Sequence, residues 1–307
     1  MLRLLQKAIC SSKHQQIRIN LRNSEVYTMH DAENYIKVSH AQTFPVYKSM
    51  LDEFENELSQ MKGKCLDIGC GPGNHSRDLI LPKLSPECSI VGVDISKNMI
   101  DYARKYCAKE KRMTFKVMDI ETRDLKKEDI EAYDNGLSFF CLHWVQDVRC
   151  GFENIFKLLR PGGHFIALSV VDGSALFTYP KLAKYPRYKE YMKDYLKYIT
   201  PIHYEENPRS SLKKICEEVG FGVVHMSMRE IMLDFKDEAE LMTLLLSINP
   251  FIDRMPESLR DEYTRDLLQE ALKQESFYKK VEPRASQEQS LYDLYKCMVI
   301  HLKKPIS

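Results

Sequence analysis

A chain of 307 residues with 44% apolar and 29% charged side chains carries enough apolar material for a sizeable core, which excludes a disordered protein. Its 45 basic and 44 acidic side chains leave a formal charge of +1, too weak a field to gather nucleic acid or an acidic membrane surface. The nine cysteines, at positions 10, 65, 70, 88, 107, 141, 150, 216 and 297, are dispersed and contain no Cys-x-x-Cys pair. That excludes a disulfide frame or a zinc site and points to a reducing compartment.

Residues 1–24 carry Arg3, Lys7, Lys13, Arg18 and Arg22 with no acid before Glu25, and Leu2, Leu4, Leu5 and Ile9 give an apolar face. Two readings stand: a mitochondrial presequence, or a basic tail ahead of an alternative start at Met29. The expected location is cytoplasmic, with the mitochondrion as the alternative. From about Thr43, the spacing of Phe44, Tyr47, Leu51, Phe54 and Leu58 predicts a helix, closed by Lys62-Gly63-Lys64. Strand 65–68 follows, then a helix over 75–84 stopped by Ser85-Pro86, and strand 89–93. Met99, Ile100, Tyr102, Ala103 and Tyr106 mark the next helix, and 113–117 a third strand ending near Asp119. The apolar run 136–142 reads as a parallel strand covered on both faces. A helix over 149–159, the turn Arg160-Pro161-Gly162-Gly163 and a strand over 165–171 complete the alternation. No apolar run approaches the ~18 residues that span a bilayer.

Strand–helix alternation with short connections predicts an α/β fold with a doubly wound, mostly parallel sheet. Segment 172–211 differs, with Tyr179, Tyr185, Tyr188, Tyr191, Tyr195, Tyr198 and Tyr204 set among lysines and prolines. It reads either as a helical lid over the strand ends or as a surface segment whose rings pack on the core. Nucleic-acid stacking on these rings is disfavoured by Glu190, Asp194, Glu205 and Glu206. Strands near 223–234 and 296–303 are expected to pair antiparallel at the sheet edge, with helical residues 237–280 between them. Three regions result: an extension over 1–28, a core over 29–171, and a remainder over 172–307 that completes the same domain.

The chemistry gathers at strand ends. Asp67-Ile68-Gly69-Cys70-Gly71-Pro72-Gly73 runs from a strand into a glycine turn, and the next strand ends in Asp94. A carboxylate there is placed to accept from ribose hydroxyls. A dinucleotide fingerprint needs a third glycine at 74, where Asn74 stands. The adjoining Asn74-His75-Ser76 is formally a glycosylation sequon, read as accidental. Asp119 and the segment Cys141-Leu142-His143-Trp144 fall at two further strand ends. No His/Asp/Glu set has metal-ligand spacing.

The Asp-x-Gly-x-Gly-x-Gly pattern resembles motif I of Rossmann-like S-adenosylmethionine-dependent methyltransferases. From about Met29 onward the chain resembles the insect juvenile hormone acid and farnesoic acid methyltransferases. Asn34-Tyr35, Ser39-His40-Ala41-Gln42, Leu142-His143-Trp144, Ile199-Thr200-Pro201-Ile202-His203 and Ile248-Asn249-Pro250-Phe251 carry that likeness. It implies a class I methyltransferase fold that binds S-adenosyl-L-methionine through Asp67, Gly69, Gly71, Gly73, Asp94, Ile95, Asp119, Ile120 and Cys141. It further implies that Gln42 and Trp144 hold the carboxylate of a small apolar acid, with His143 beside them. Such an acid is already ionised at neutral pH and needs no general base. The alternatives are a trans-aconitate-like or fatty acid acceptor, a phenol or amine acceptor with His143 as base, and a non-catalytic cofactor-binding partner subunit.

Overall fold

The computed structural model describes residues 32–281 and 289–306, so the basic extension over 1–28 lies outside the described residues. The first helix, α1 (Ala32–Glu53), begins well before Thr43 and runs through Pro45. It buries Val46, Tyr47, Met50 and Leu51 and is followed by α2 (Glu55–Gln60). Strands β1 (Gly63–Ile68), β2 (Cys88–Asp94), β3 (Met113–Val117), β4 (Asn135–Phe139) and β5 (His164–Asp172) come next. Helices α3 (Lys97–Tyr106) and α4 (Val148–Leu158) are interspersed among them. The α-helix expected over 75–84 is instead a π turn over 76–80 and a 3-10 turn over 81–83. Pro82 accounts for this, since it lacks an N–H and its ring clashes with the carbonyl four residues back.

Beyond β5 the chain forms α5 (Ser174–Leu182), α6 (Pro208–Val219), β6 (Gly222–Phe235), α7 (Glu238–Ser247), α8 (Glu257–Leu272), β7 (Phe277–Val281) and β8 (Gln289–Lys303). The sheet order is β3-β2-β1-β4-β5-β8-β6, with β7 also paired to β8. Strands β1 to β5 pair in parallel, while β8 runs antiparallel to both β5 and β6. The expected antiparallel pair is thus at the sheet edge, with β8 its inner member. Strand order reverses between β1 and β4, which opens a crevice at their carboxyl ends.

Alternation along β5 divides the core. Ile166, Leu168 and Val170 face one cluster, with α1, α5, α7 and α8. Phe165, Ala167 and Val171 face the other, with Phe152, Ile155 and Leu158 of α4 and Leu212 and Cys216 of α6. The Tyr-rich segment is mainly core: Tyr179, Tyr188 and Tyr198 are buried, and Tyr188 meets the Tyr263 ring edge-on at 5.1 Å. One of these rings, Tyr198, also reaches the crevice. Among the described residues, no helix is long and apolar enough to cross a membrane, and no cluster could hold a metal ion.

Candidate active site

The glycine turn is built by backbone geometry. Gly69, Gly71 and Gly73 have φ of 72°, 53° and 78°, where L side chains are strained. Gly69 and Cys70 donate their N–H groups to the Val93 carbonyl at 2.7 and 3.0 Å, tying the turn to β2. Asp94 then bridges two loops: Oδ2 accepts from the Gly71 N–H at 3.1 Å and Oδ1 from the Ser96 N–H at 2.8 Å. Ser96 in turn caps α3 by accepting from the Met99 N–H. Burial pushes the Asp94 carboxyl up, against the pull of the two backbone donors.

These loops wall a cleft that is open to solvent. One half presents Gly69, Gly71, Asp94, Ile95, Asp119 and Ile120, and the other Phe140, Trp144, Val145, Tyr198, Ile248 and Pro250. Cys141 lies between them, its Sγ just 2.2 Å from where a Cβ on Gly69 would stand. Asp94, Asp119 and Glu121 give the wall three carboxylates, and among the described residues no Lys, Arg or His lines it. That donor set suits a cationic ligand with hydroxyls to donate and is wrong for a pyrophosphate. S-adenosylmethionine, a sulfonium with a ribose diol, fits it.

Several expected site residues sit elsewhere. Asp67 is buried behind the turn, accepting from the Ser76 hydroxyl, and is not part of the cleft wall. Burial raises its carboxyl to about 6, the Ser76 bond opposing and the Asp94 charge adding. Gly73 also faces away, since a Cβ there would lie 3.1 Å from Ala103 Cβ and the Phe115 ring. Its role is close packing of helix on strand. His143 lies on the 142–144 turn, buried, off the cleft wall and with Nδ1 lacking a hydrogen-bond partner. Burial lowers its pKa to about 3, which keeps the ring neutral near pH 7. Gln42 belongs to α1, and its side chain lies outside the described residues. The sequon residues Asn74, His75 and Ser76 are all buried.

Because the folded value for Asp67 lies above that of a free aspartate, its protonated form favours the fold. That stability is present below the lower value and lost as pH rises through the higher one. The two-unit gap is worth about 3 kcal/mol. Ligand-free Asp67→Asn protein is expected to lose this slope in melting temperature between about pH 4 and pH 7. An unchanged slope would place the Asp67 carboxyl in contact with water.

The apolar half was less legible. Ile248 and Pro250 come from the Ile-Asn-Pro-Phe segment, whose buried Asn249 accepts from the Phe251 and Ile252 N–H groups at 2.9 and 3.1 Å. That bond pair folds the turn which presents its neighbours. Phe140 adopts φ 54°, for which an aromatic residue gives no sequence signal.

A family model described as a methyltransferase domain matches residues 66–165. Juvenile hormone acid O-methyltransferase of Bombyx mori is 29% identical over 245 residues, covering 78% of this chain and 85% of that protein. Phosphoethanolamine N-methyltransferase 2 of Haemonchus contortus, solved with S-adenosyl-L-methionine, shares the fold at 18% identity and a TM-score of 0.53. This chain spans 58% of that protein, and 92% of this chain is covered. Juvenile hormone acid O-methyltransferase of Drosophila melanogaster is 31% identical over 225 residues, covering 72% of this chain and 76% of that protein. The glycine turn, the carboxylate-lined cleft and this extent of likeness together make the chain a member of the juvenile hormone acid O-methyltransferase family.

Proposed function

We propose that this protein is an S-adenosylmethionine-dependent O-methyltransferase that esterifies the carboxylate of a small apolar acid of roughly sesquiterpenoid size. The observation that carries the reading is a two-sided cleft: carboxylates and glycine backbone on one side, apolar and aromatic side chains on the other. When bound, the cofactor supplies an electrophilic methyl group on a sulfonium. Asp94 would accept from the ribose hydroxyls, and Ile95, Asp119 and Ile120, on the same cleft wall, would hold the rest of the nucleoside. The Trp144 indole N–H orients an acceptor oxygen, with Gln42 as a second donor by family resemblance. No proton needs to move, because the acid enters ionised. Alignment and exclusion of water are then the main sources of rate. A tricarboxylate such as aconitate would leave its other charges without a cationic partner among the described wall residues. Every described cysteine is a free thiol, which supports a reducing compartment such as the cytoplasm.

Incubation with labelled S-adenosylmethionine and a panel of terpenoid, fatty and polar acids tests the reading. Each added methylene is worth up to ~0.8 kcal/mol, so kcat/KM is expected to climb severalfold per carbon until the cleft is full. Preference for polyacids would overturn it. Trp144→Phe keeps most of the bulk and removes the N–H, at an expected cost of about 1.5–3 kcal/mol in kcat/KM. His143→Ala is expected to be much milder. At saturating cofactor, kcat is expected to stay nearly flat from about pH 6 to 8, since His143 is already neutral there. A steep rise abolished by His143→Ala would point to a phenol or amine acceptor.

A further inference from the structure

We propose that Arg254, which lies off the cleft wall, is a positioning residue that sets the acceptor specificity of the apolar half. The proposal rests on the methyltransferase reading above. The apolar half is walled by two segments far apart in the chain, one ending in Tyr198 and the other carrying Ile248 and Pro250. Arg254 joins them. Its Nη2 donates to the Tyr198 hydroxyl, and its Nη1 donates to Asp194 Oδ1 at 2.6 Å and to the Tyr191 carbonyl at 3.3 Å. The guanidinium carbon also lies 5.5 Å from the Tyr198 ring centre and 5.2 Å from that of Phe251. Those two rings meet nearly edge-on at 5.1 Å.

The second segment is equally braced. The Tyr179 hydroxyl donates to the Ile248 carbonyl at 3.3 Å, and Asn249 Nδ2 donates to the Tyr263 hydroxyl at 3.0 Å. Arg254 therefore holds one wall through a hydroxyl and the other through a ring face. Only a planar fork can do both, because an ammonium is a point charge without the parallel donors. The cofactor half is braced separately, by the Asp94 bonds and the β1–β2 pairing. Loosening Arg254 therefore lets the two acceptor walls part and leaves the cofactor half in place. The expected consequence is tolerance of longer and bulkier acids and weaker discrimination among short ones.

The test uses the full chain, its Arg254→Lys and Tyr198→Phe variants and the double variant, with a graded series of straight-chain acids. The single tryptophan of the chain is Trp144, on the cleft wall, so its fluorescence reads acid binding even where no methyl is transferred. In Arg254→Lys, the long-to-short ratio of kcat/KM and of acid affinity is expected to shift roughly tenfold, the weight of one or two methylenes. Affinity for S-adenosylmethionine is expected to stay within about twofold, below the loss of one net hydrogen bond. Tyr198→Phe should reproduce the shift, and the double variant should add nothing to it. A wild-type ratio in Arg254→Lys, a uniform loss across all acids, or full additivity would overturn the proposal. Acids that quench Trp144 in the wild type without turning over would count against the methyltransferase reading alone, because the affinity ratios remain measurable.

Discussion

In Gly69→Ala, affinity for S-adenosylmethionine is expected to fall by more than about a hundredfold, or roughly 3 kcal/mol. An added Cβ would stand 2.2 Å from Cys141 Sγ and 2.3 Å from Cys141 Cβ, well inside contact distance. The φ of 72° adds about 1–2 kcal/mol of left-handed strain for any L side chain. Relief by moving Cys141 is costly in its own way, because Cys141 leads into the turn that carries Trp144. Both halves of the cleft are therefore expected to distort together. The overlap can be separated from the strain: Cys141→Gly removes both offending side-chain atoms and should restore most of the affinity in the double variant. Calorimetric titration reads both steps, and near-native binding by the single variant would mean that the turn relaxes freely.

The second large effect is expected at Asp94. Its carboxylate holds the Gly71 and Ser96 N–H groups and faces the cleft. Asp94→Ala deletes the acceptor for a ribose diol and leaves two backbone donors to find water. A loss of about 1.5–3 kcal/mol, ten- to hundredfold in affinity, is expected. Asp94→Asn retains one acceptor oxygen and should fall between. The melting temperature of ligand-free protein should move far less than the affinity, because burial already penalises the charged carboxylate. Unchanged binding in Asp94→Ala would remove the cofactor assignment.

What could be read from the chain was local. The strands β1 to β5 follow from short apolar runs between turn signals, and Gly69, Gly71, Asp94 and Asp119 from their places at strand ends. Where the structure places a residue off the cleft wall, the cause is physical. Asp67 and Gly73 belong to the same motif as Gly69, but strand alternation and helix packing turn them away from the cleft. Spacing places His143 beside Trp144, and only tertiary burial decides that one ring faces the cleft and the other does not. Tyr198, Ile248 and Pro250 come together through packing of α5, α7 and α8, which no short-range pattern reports. The start of α1 was missed because an apolar stripe is legible only from Thr43 onward. β7 is a five-residue strand at the end of a stretch whose pattern reads as helical.

The three carboxylates of the cleft wall have a consequence in time. An anionic acid approaching Asp94, Asp119 and Glu121 alone meets like charges, with no Lys, Arg or His among the described wall residues to offset them. Two unit charges about 6 Å apart at an effective dielectric near 20 repel by roughly 3 kcal/mol, a hundredfold in occupancy. A sulfonium held in the cleft would set one positive charge beside the acid's path and offset part of that repulsion, so the acid is expected to enter second. Methyl transfer would leave a neutral sulfur and a neutral ester, which removes that local attraction. Admission and release are then expected to follow one rule, in which the cofactor's charge recruits the acid and the reaction cancels both.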